Sequence, residues 1–517
     1  MATASISKPL PSASASVSVS ALRSEGKRIS RIVFIALLLD ILSFTIILPL
    51  LPRSLEAYKA REGADSSTLL GWTLQHVTQL RELILANAGA RASRFLQQGA
   101  RADLVLLGGL LGSVYSLLQC IVAPIIGRAS DRFGRRPTLM LCMAGNIVWT
   151  VLWVFSGSFE SFLAARIIAG LSEGNVQLST TIIADVTDPQ TRSHGMALVG
   201  IAFAVGFTIG PSIGAFFSRM NIESQATTTF GYAPFAVAAV FSLALLLTES
   251  LYLYFKLPET KNFNSQRNIT SASADLAVAA LDSGNEEPLQ SQLQPQPQPG
   301  ARLMQERQKT KSILRQLNYV HFAYLFFFSG MEYTLTFLTH DRFNFSNAQQ
   351  GKLLGFIGIT STLLQGGYVR RVKGKSAHRD KFLVAQGMAG CTLGLLSIAL
   401  CCIKANAKDM SRPSWWLWAG ALGFAVASAT VVNCLNSMVS LVGADDGSTG
   451  RRLGDFRSAG QIGRALGPMF SCTLYWLAGA STCYMVGAVA VAAITLAFVS
   501  VIPASTVMHS SGLKKSQ

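Results

Sequence analysis

Charge is what this chain has least of. Of its 517 residues only 14% are Asp, Glu, Lys or Arg, where soluble domains carry about 25%. Acids are the scarcest, 27 against 44 Lys and Arg. With half of all residues hydrophobic and a mean hydropathy of +0.38, a soluble enzyme is excluded. Cysteine is sparse too. The eight thiols, such as Cys120, Cys401 and Cys402, fall in or at the ends of apolar runs and never form C-x-x-C. Packing is their expected role, rather than metal or disulfide chemistry. No nucleophile triad, metal cluster or phosphate loop is evident, so no enzyme, no cofactor and no metal site are expected. The alternation of a membrane barrel, at its ~10-residue spacing, is missing as well.

What is there is a succession of apolar runs of about twenty residues, each long enough to cross a hydrocarbon core of ~30 Å. Helices are the expected form, because they satisfy their own backbone groups inside lipid. The runs are 32–51, 104–126, 138–155, 162–184, 196–217 and 232–255, then 319–338, 351–369, 382–403, 415–442, 458–477 and 483–502. The expected fold is an all-α membrane protein, with twelve transmembrane helices in two six-helix bundles over 29–255 and 316–503.

An even number of spans puts both termini on one side. Placing them in the cytosol leaves 29 Lys and Arg on inner segments and 12 on outer loops, with Arg166, Lys352 and Arg464 inside spans. That asymmetry favours cytosolic termini. The formal charge of +17 then reflects inner loops facing a lipid bilayer, with no nucleic acid needed. No cleavable signal is apparent, and the first span serves as anchor. Residues 1–28, rich in Ser and Ala, read as a disordered cytosolic tail, and 504–517 as a second tail. Between the halves, 256–315 is polar, with a Gln-Pro run at 290–299, and reads as a disordered cytosolic linker. The sequon Asn268-Ile-Thr270 lies within it, on the side where it is silent. The outer loop 53–103 sets Val77, Leu80, Ile84 and Ala88 at helical spacing within 72–95. That is the pattern of an amphipathic helix on the membrane surface, with a substrate-gating lid as the alternative.

After the second span comes Gly127-Arg-Ala-Ser-Asp131-Arg132-Phe-Gly134-Arg135-Arg136-Pro137. A merely basic inner loop explains its arginines but not its Gly, Asp and Gly spacings. It resembles the G-x-x-x-D-R-x-G-R-[RK] signature of the major facilitator superfamily. The fifth span carries Gly206-Phe-Thr-Ile-Gly210-Pro211-Ser-Ile-Gly214, small residues that admit a close neighbour and a Pro that bends the span. It resembles the G-x-x-x-G-P-x-x-G element of that superfamily's antiporters, which implies exchange. Gly463-Arg464-Ala-Leu-Gly467-Pro468 echoes it 257 residues later, as expected of two parallel repeats with a substrate cavity between them.

Asp40, nine residues before Pro49, with Arg166-Ile-Ile-Ala-Gly170 and the run to Asp185, Asp188 and Arg192, is similar to the tetracycline-resistance efflux pumps. These belong to the twelve-spanner drug:proton antiporters, and the similarity is closest over 32–217. Glu332-Tyr-Thr-Leu-Thr-Phe-Leu and Asp341-Arg-Phe resemble the eukaryotic tetracycline-transporter-like proteins, linked to organic-anion efflux. One departure speaks against tetracycline–metal transport. The third span has Trp149 where the pumps place a drug-binding Asp, and the ninth span has no acid.

The resemblance implies proton-driven antiport of a small organic solute by alternating access, in the plasma membrane or a vacuolar or vesicular one, by a monomer. Uncoupled facilitation and a non-transporting scaffold or receptor are the alternatives. A charge at mid-bilayer costs ~2.5–3.5 kcal/mol on insertion scales, so it faces protein or water and has a use. Asp40, Arg166 and Glu173 are the candidates for proton coupling, and Arg166, Gly170, Glu173, Gly174 and Gln177 share one helix face. A static Asp40–Arg166 bridge is the structural alternative. Gln177, Glu332, Tyr333, Asn433, Asn436 and Arg464 are the candidates for the substrate cavity. Arg166 and Arg464 opposed across it would suit an organic anion, against three interior acids, Asp40, Glu173 and Glu332. For gating, the family implies Asp131 against the start of the eleventh span near Ser458, where a helix dipole attracts a carboxylate. Arg135 is placed to bridge Asp131 to Asp185. Gly127, Arg132, Gly134, Arg136, Arg192, Gly206, Gly210, Pro211 and Gly214 complete the gating set.

Overall fold

The computed structural model describes residues 11–47, 50–88, 100–217, 232–261, 263, 299–343, 345, 347–372, 376–404, 415–442 and 447–502. Within them fifteen α-helices follow one another. The first half holds α1 (Pro11–Thr45), α2 (Leu51–Glu62), α3 (Leu69–Ala88), α4 (Ala100–Phe133), α5 (Arg135–Val154), α6 (Phe159–Ser172), α7 (Asn175–Val186), α8 (Arg192–Phe217) and α9 (Ala236–Lys256). The second holds α10 (Pro299–Phe343), α11 (Asn347–Leu363), α12 (Ser376–Lys404), α13 (Trp415–Leu441), α14 (Thr449–Ala478) and α15 (Ala480–Val501). A π-helical turn, Leu364–Val369, extends α11. With α6 and α7 counted as one broken span, and α2 and α3 as parts of the long loop, these make twelve crossings in two halves of six.

Lipid tails are as apolar as Leu, so helices in a bilayer associate through close packing of small residues rather than by hiding from water. The two glycine–proline elements show how. On α8, a Cβ at Gly206 would strike Ile41 and one at Gly210 would strike Thr45, both on α1. On α14, a Cβ at Gly463 would lie 2.6 Å from the Phe322 carbonyl of α10, and one at Gly467 would strike the Phe326 carbonyl. The 257-residue echo in sequence is thus a repeated piece of packing: first span on fifth, seventh span on eleventh. The halves meet where α4 packs on α14, and where α8 packs on α11 and α13.

Several expected boundaries move. The tail expected to be disordered to residue 28 is helical from Pro11, because α1 simply continues past the membrane run. Gly26 brings it against Val186 at the end of α7, where a side chain would not fit. The polar segment 256–315 is helical from Pro299 onward, with Ile313 buried in it and Leu317 buried just beyond it. The rest of that segment, apart from 256–261 and Phe263, lies outside the described residues, as do the sequon and Pro49. In the long loop, α3 is helical as expected, but its buried stripe is Leu70, Leu74 and Val77, while Leu80 is 48% exposed. Residues 89–95 of that expected helix are outside the described set.

Candidate functional site

The interior charges gather at a break in the fourth span. Its helix stops at Ser172 and restarts at Asn175. Glu173, with φ −73° and ψ 84°, turns out of the helix, and a Cβ on Gly174 would come within 2.6 Å of Cys142 Sγ. Irregular backbone at membrane depth is tolerated where protein surrounds it or where it lines a cavity. Glu173 Oε1 stands 3.7 Å from Arg457 Nη2 on α14. Tyr115 of α4 donates its hydroxyl to Glu173 Oε2 at 3.5 Å. The pair joins the two halves, and with the side chains only 17% and 14% exposed, little water screens it.

Asp40, 5% exposed, accepts a 2.9 Å bond from Asn175 Nδ2. The Asp40–Arg166 bridge does not form. Arg166 is as buried, lays its guanidinium over the Tyr115 ring at 5.1 Å, and offers Nε and Nη1 to no acceptor. The reason is the break: α1 packs on α7, so Asn175 faces Asp40, while Arg166 sits on α6 against α4. A small cavity beside them is lined by Asp40, Ser43, Tyr115, Asn146, Trp149 and Glu173. Trp149 stacks on Trp153, ring centroids 5.8 Å apart.

The expected cavity residues divide. Glu332 on α10 and Arg464 on α14 are both exposed and are electrostatic neighbours. Half-buried Tyr333 points its hydroxyl at Gly109 of α4, across the seam. Gln177 belongs elsewhere. Its Nε2 donates to the Ala123 carbonyl at 2.9 Å, in the space that Gly127 and Gly454 leave between α4 and α14. Asn433 fills the hollow at Gly200 of α8 beside Gln365, so it too packs a seam. Asn436 is half-buried on the same helix.

Three charges stand outside the expected set. Arg457 falls one residue short of the run 458–477, but α14 begins at Thr449, so it is well inside the helix. Its signal was its spacing, seven residues from Arg464 and hence on the same face. Glu249, 1% exposed on α9, is a fourth interior acid. Asp380, fully buried on α12, corrects the expectation of an acid-free ninth span, because that helix starts at Ser376 rather than 382.

One end of the bundle is latched. Asp131 Oδ1 accepts from Gly450 N at 2.9 Å and Oδ2 from Arg451 N at 2.7 Å, in the first turn of α14. The contact is there rather than near Ser458, because α14 starts nine residues earlier than expected. Exposed first-turn amides and the helix dipole favour a carboxylate in that place. Arg135 reaches Asp131 at 2.6 Å and Asp185 at 2.8 Å. Arg192 donates to the Ser440 carbonyl of α13 at 3.0 Å and to the Ala184 carbonyl at 2.9 Å. The second half supplies its own version: Arg379 of α12 bonds Ser193 at the start of α8 and lies 3.3 Å from Asp380, which accepts from Ser437 at 2.6 Å.

Around this latch, Gly134 (φ +109°) takes a conformation that other residues rarely adopt and starts α5. Glu259 caps the helix, accepting from Arg135 N at 2.9 Å and Arg136 N at 3.1 Å. Burial would raise that carboxyl, but backbone N–H groups of Arg135, Lys261, Arg136 and Thr260 outweigh it and hold it below its ordinary value. Arg136 donates to the Tyr254 carbonyl at 2.6 Å, and Arg132 lies over Phe133 at 5.3 Å. Gly214 and Gly206 are buried on α8, with Pro211 inside that helix.

A family model described as Major Facilitator Superfamily matches residues 33–468. The chain is 37% identical over 471 residues to mouse major facilitator superfamily domain-containing protein 10, covering 89% of this chain and 90% of that one. It is 34% identical over 157 residues to the class E tetracycline resistance protein of Escherichia coli, 30% of this chain and 35% of the relative. A crystal structure of the human organic anion transporter MFSD10 (TETRAN) superimposes with a TM-score of 0.70 at 34% identity, covering 92% of this chain and 99% of that one.

Proposed function

The chain belongs to the major facilitator superfamily, and on that premise we propose that this multi-pass membrane transporter exchanges protons for a small organic anion by alternating access. The substrate class rests on the human relative, an organic anion transporter, and on Arg166, a buried guanidinium with two nitrogens that meet no acceptor. An anionic group beside Tyr115 would satisfy both. Trp149 and Tyr115 would pack the organic part of such a substrate.

Asp40 carries the coupling half of the proposal. It is buried in the first span with a neutral amide, Asn175, as its hydrogen-bond donor and no cation within bonding reach. A buried carboxyl is stable when neutral or paired. Taking up a proton lets it pass through the dry stages of a cycle, and losing the proton when the cavity is wetted completes the exchange. The latched end faces the cytosol in this reading, in line with the lysine and arginine bias of its loops. Release of Asp131 and Arg192 from the second half lets the bundles rock and open the site there.

The test is uptake of radiolabelled para-aminohippurate, a small organic anion, by proteoliposomes holding the purified protein, with an imposed pH difference. Coupled exchange accelerates uptake along the expected gradient and collapses with a protonophore. Uptake indifferent to pH would leave an uncoupled facilitator, and failure to carry any of a panel of anions would remove the substrate class.

A further inference from the structure

Glu249 is a buried acid that the reading above does not use. It lies on the stripe of α9 formed by Ser242, Leu246, Glu249 and Leu253, all 2% exposed or less. These positions recur at helical spacing, so they face one way. That way is toward α1: Ser242 and Ser43 share a 2.6 Å hydroxyl bond, and Leu246 lines the small cavity with Asp40. The two helices run in opposite directions. From the serine pair, Asp40 lies three residues back along α1, ~4.5 Å, and Glu249 lies seven residues on along α9, ~10 Å, toward the same latched end. Glu249 is therefore about one helical turn deeper toward that end than Asp40.

The interior around these two acids has too many acceptors. Glu249 Oε2, Asn146 Oδ1 and Asn175 Oδ1 are buried with no hydrogen-bond donor, although Asn175 spends its amide nitrogen on Asp40 and Met143. No cation compensates Glu249 directly. The charged groups near enough to act on it electrostatically are Asp40 on α1 and Glu173 at the break of the fourth span, both acids. On α5 the charges are Arg135 and Arg136, held in the first turn by Asp131, Asp185 and Tyr254. On α8 the titratable groups, Arg192 and His194, lie in the first turn at the latched end. An excess of buried acceptors around two neighbouring carboxyls is the chemistry of a site for protons.

We propose that Glu249 is a second proton-carrying carboxyl, which exchanges a proton with Asp40 through water along the seam between α1 and α9. The step moves one proton: the O–H bond of the Glu249 acid breaks as an O–H bond forms on the Asp40 carboxylate, and the charge passes the other way. Asp40 then meets the substrate side and Glu249 the latched end. This rests on proton coupling, but the holding of a proton by Glu249 is measurable apart from transport.

Infrared spectra of the purified full-length protein in lipid decide the first point. A protonated carboxylic acid has a carbonyl stretch that shifts in heavy water. The wild type should keep such a band at neutral pH, Glu249→Gln should lose the component that Glu249 carries, and Glu249→Asp should retain that component displaced. An unchanged band in Glu249→Gln overturns the proposal. The second readout is protons moved per para-aminohippurate in proteoliposomes. Glu249→Gln, a neutral isostere, should fold and lower the ratio at least twofold. If that component is lost while the ratio holds, Glu249 is a static acid and the carrier role is overturned. Wild-type uptake that moves no protons overturns the carrier role together with coupling, while the band still reports the bound proton.

Discussion

Arg457 of the second half and Glu173 of the first stand 3.7 Å apart at the point where the fourth span breaks. Neither charge has another ion-pair partner among the described residues. Removing one partner of a fully buried pair leaves the other uncompensated, at ~3–5 kcal/mol, and the partial exposure of this pair brings the cost below that range. Arg457→Gln should therefore lower thermal stability in detergent by several degrees, and Glu173→Gln in the same chain should restore most of the loss. A double variant no more stable than Arg457→Gln would show that the pair is incidental.

For Asp40, the structure separates two roles that a salt bridge would have merged. Since Arg166 does not rest on Asp40, Asp40→Asn should express and unfold within ~1 kcal/mol of the wild type, the range of a neutral hydrogen bond. Substrate-driven proton movement should vanish while downhill exchange of labelled substrate continues. Intact proton flux in this variant removes Asp40 from the coupling step.

Asp131→Asn weakens a latch without touching the cavity. Charge-assisted hydrogen bonds contribute ~1.5–3 kcal/mol, so the latched state should lose about tenfold to a hundredfold in population. Distances between spin labels on the α4–α5 turn and α14 should broaden toward the open state, turnover should fall, and apparent substrate affinity should stay within a few-fold. A tenfold change in affinity with an unaltered distance distribution would contradict the latch.

Glu259 gives a pH dependence with a definite sign. Its carboxyl is held below the ordinary 4.5 in the folded protein, so the folded state binds fewer protons there than the unfolded one. The cap's stabilisation is complete above that ordinary value and fades as pH falls through the depressed folded one. Glu259→Gln should unfold at lower temperature than the wild type at pH 7, with the gap closing below pH 4.5. A gap that widens in acid would mean that the cap is not carried by charge.

The glycine seams predict a paired outcome. Gly210→Val and Gly467→Val each force a side chain into the opposing helix, and overpacking costs ~1–3 kcal/mol or more, so both should reduce folded yield. Gly355→Ala on α11, with nothing within 4 Å of the new Cβ, should be neutral or slightly stabilising. Equal tolerance at all three would deny the seams their role.

What could be read from the chain before its fold was known follows a physical line. The α4–α5 turn and the glycine–proline repeats were legible because their constraints are local: a close backbone approach demands Gly wherever it occurs. Arg457, Asp380 and Glu249 were harder. Hydropathy finds the part of a helix that meets lipid, and it trims the charged turns at each end even where protein covers them. So Arg457 and Asp380 fell into loops, although α14 and α12 continue through them. Glu249 hid in the opposite way, a single acid inside a strongly apolar run. The Ser- and Ala-rich start of α1 lacks an apolar face, yet it is helical because its neighbour in sequence already is, and extending a helix is easier than starting one.

Two of the latches share a property that matters for how this protein can change over time. Asp131 grips the amides of Gly450 and Arg451, and Arg192 grips the carbonyl of Ser440. In each the partner atoms belong to the main chain: an amide N–H that every residue but proline provides, and a carbonyl that all provide. As far as these contacts go, the side chain at 451 can vary, proline excepted, and that at 440 can vary within its buried space, whereas 131 and 192 are fixed. Across relatives these joints would leave a one-sided imprint, a fixed residue facing a variable one, and no pair of columns changing in step.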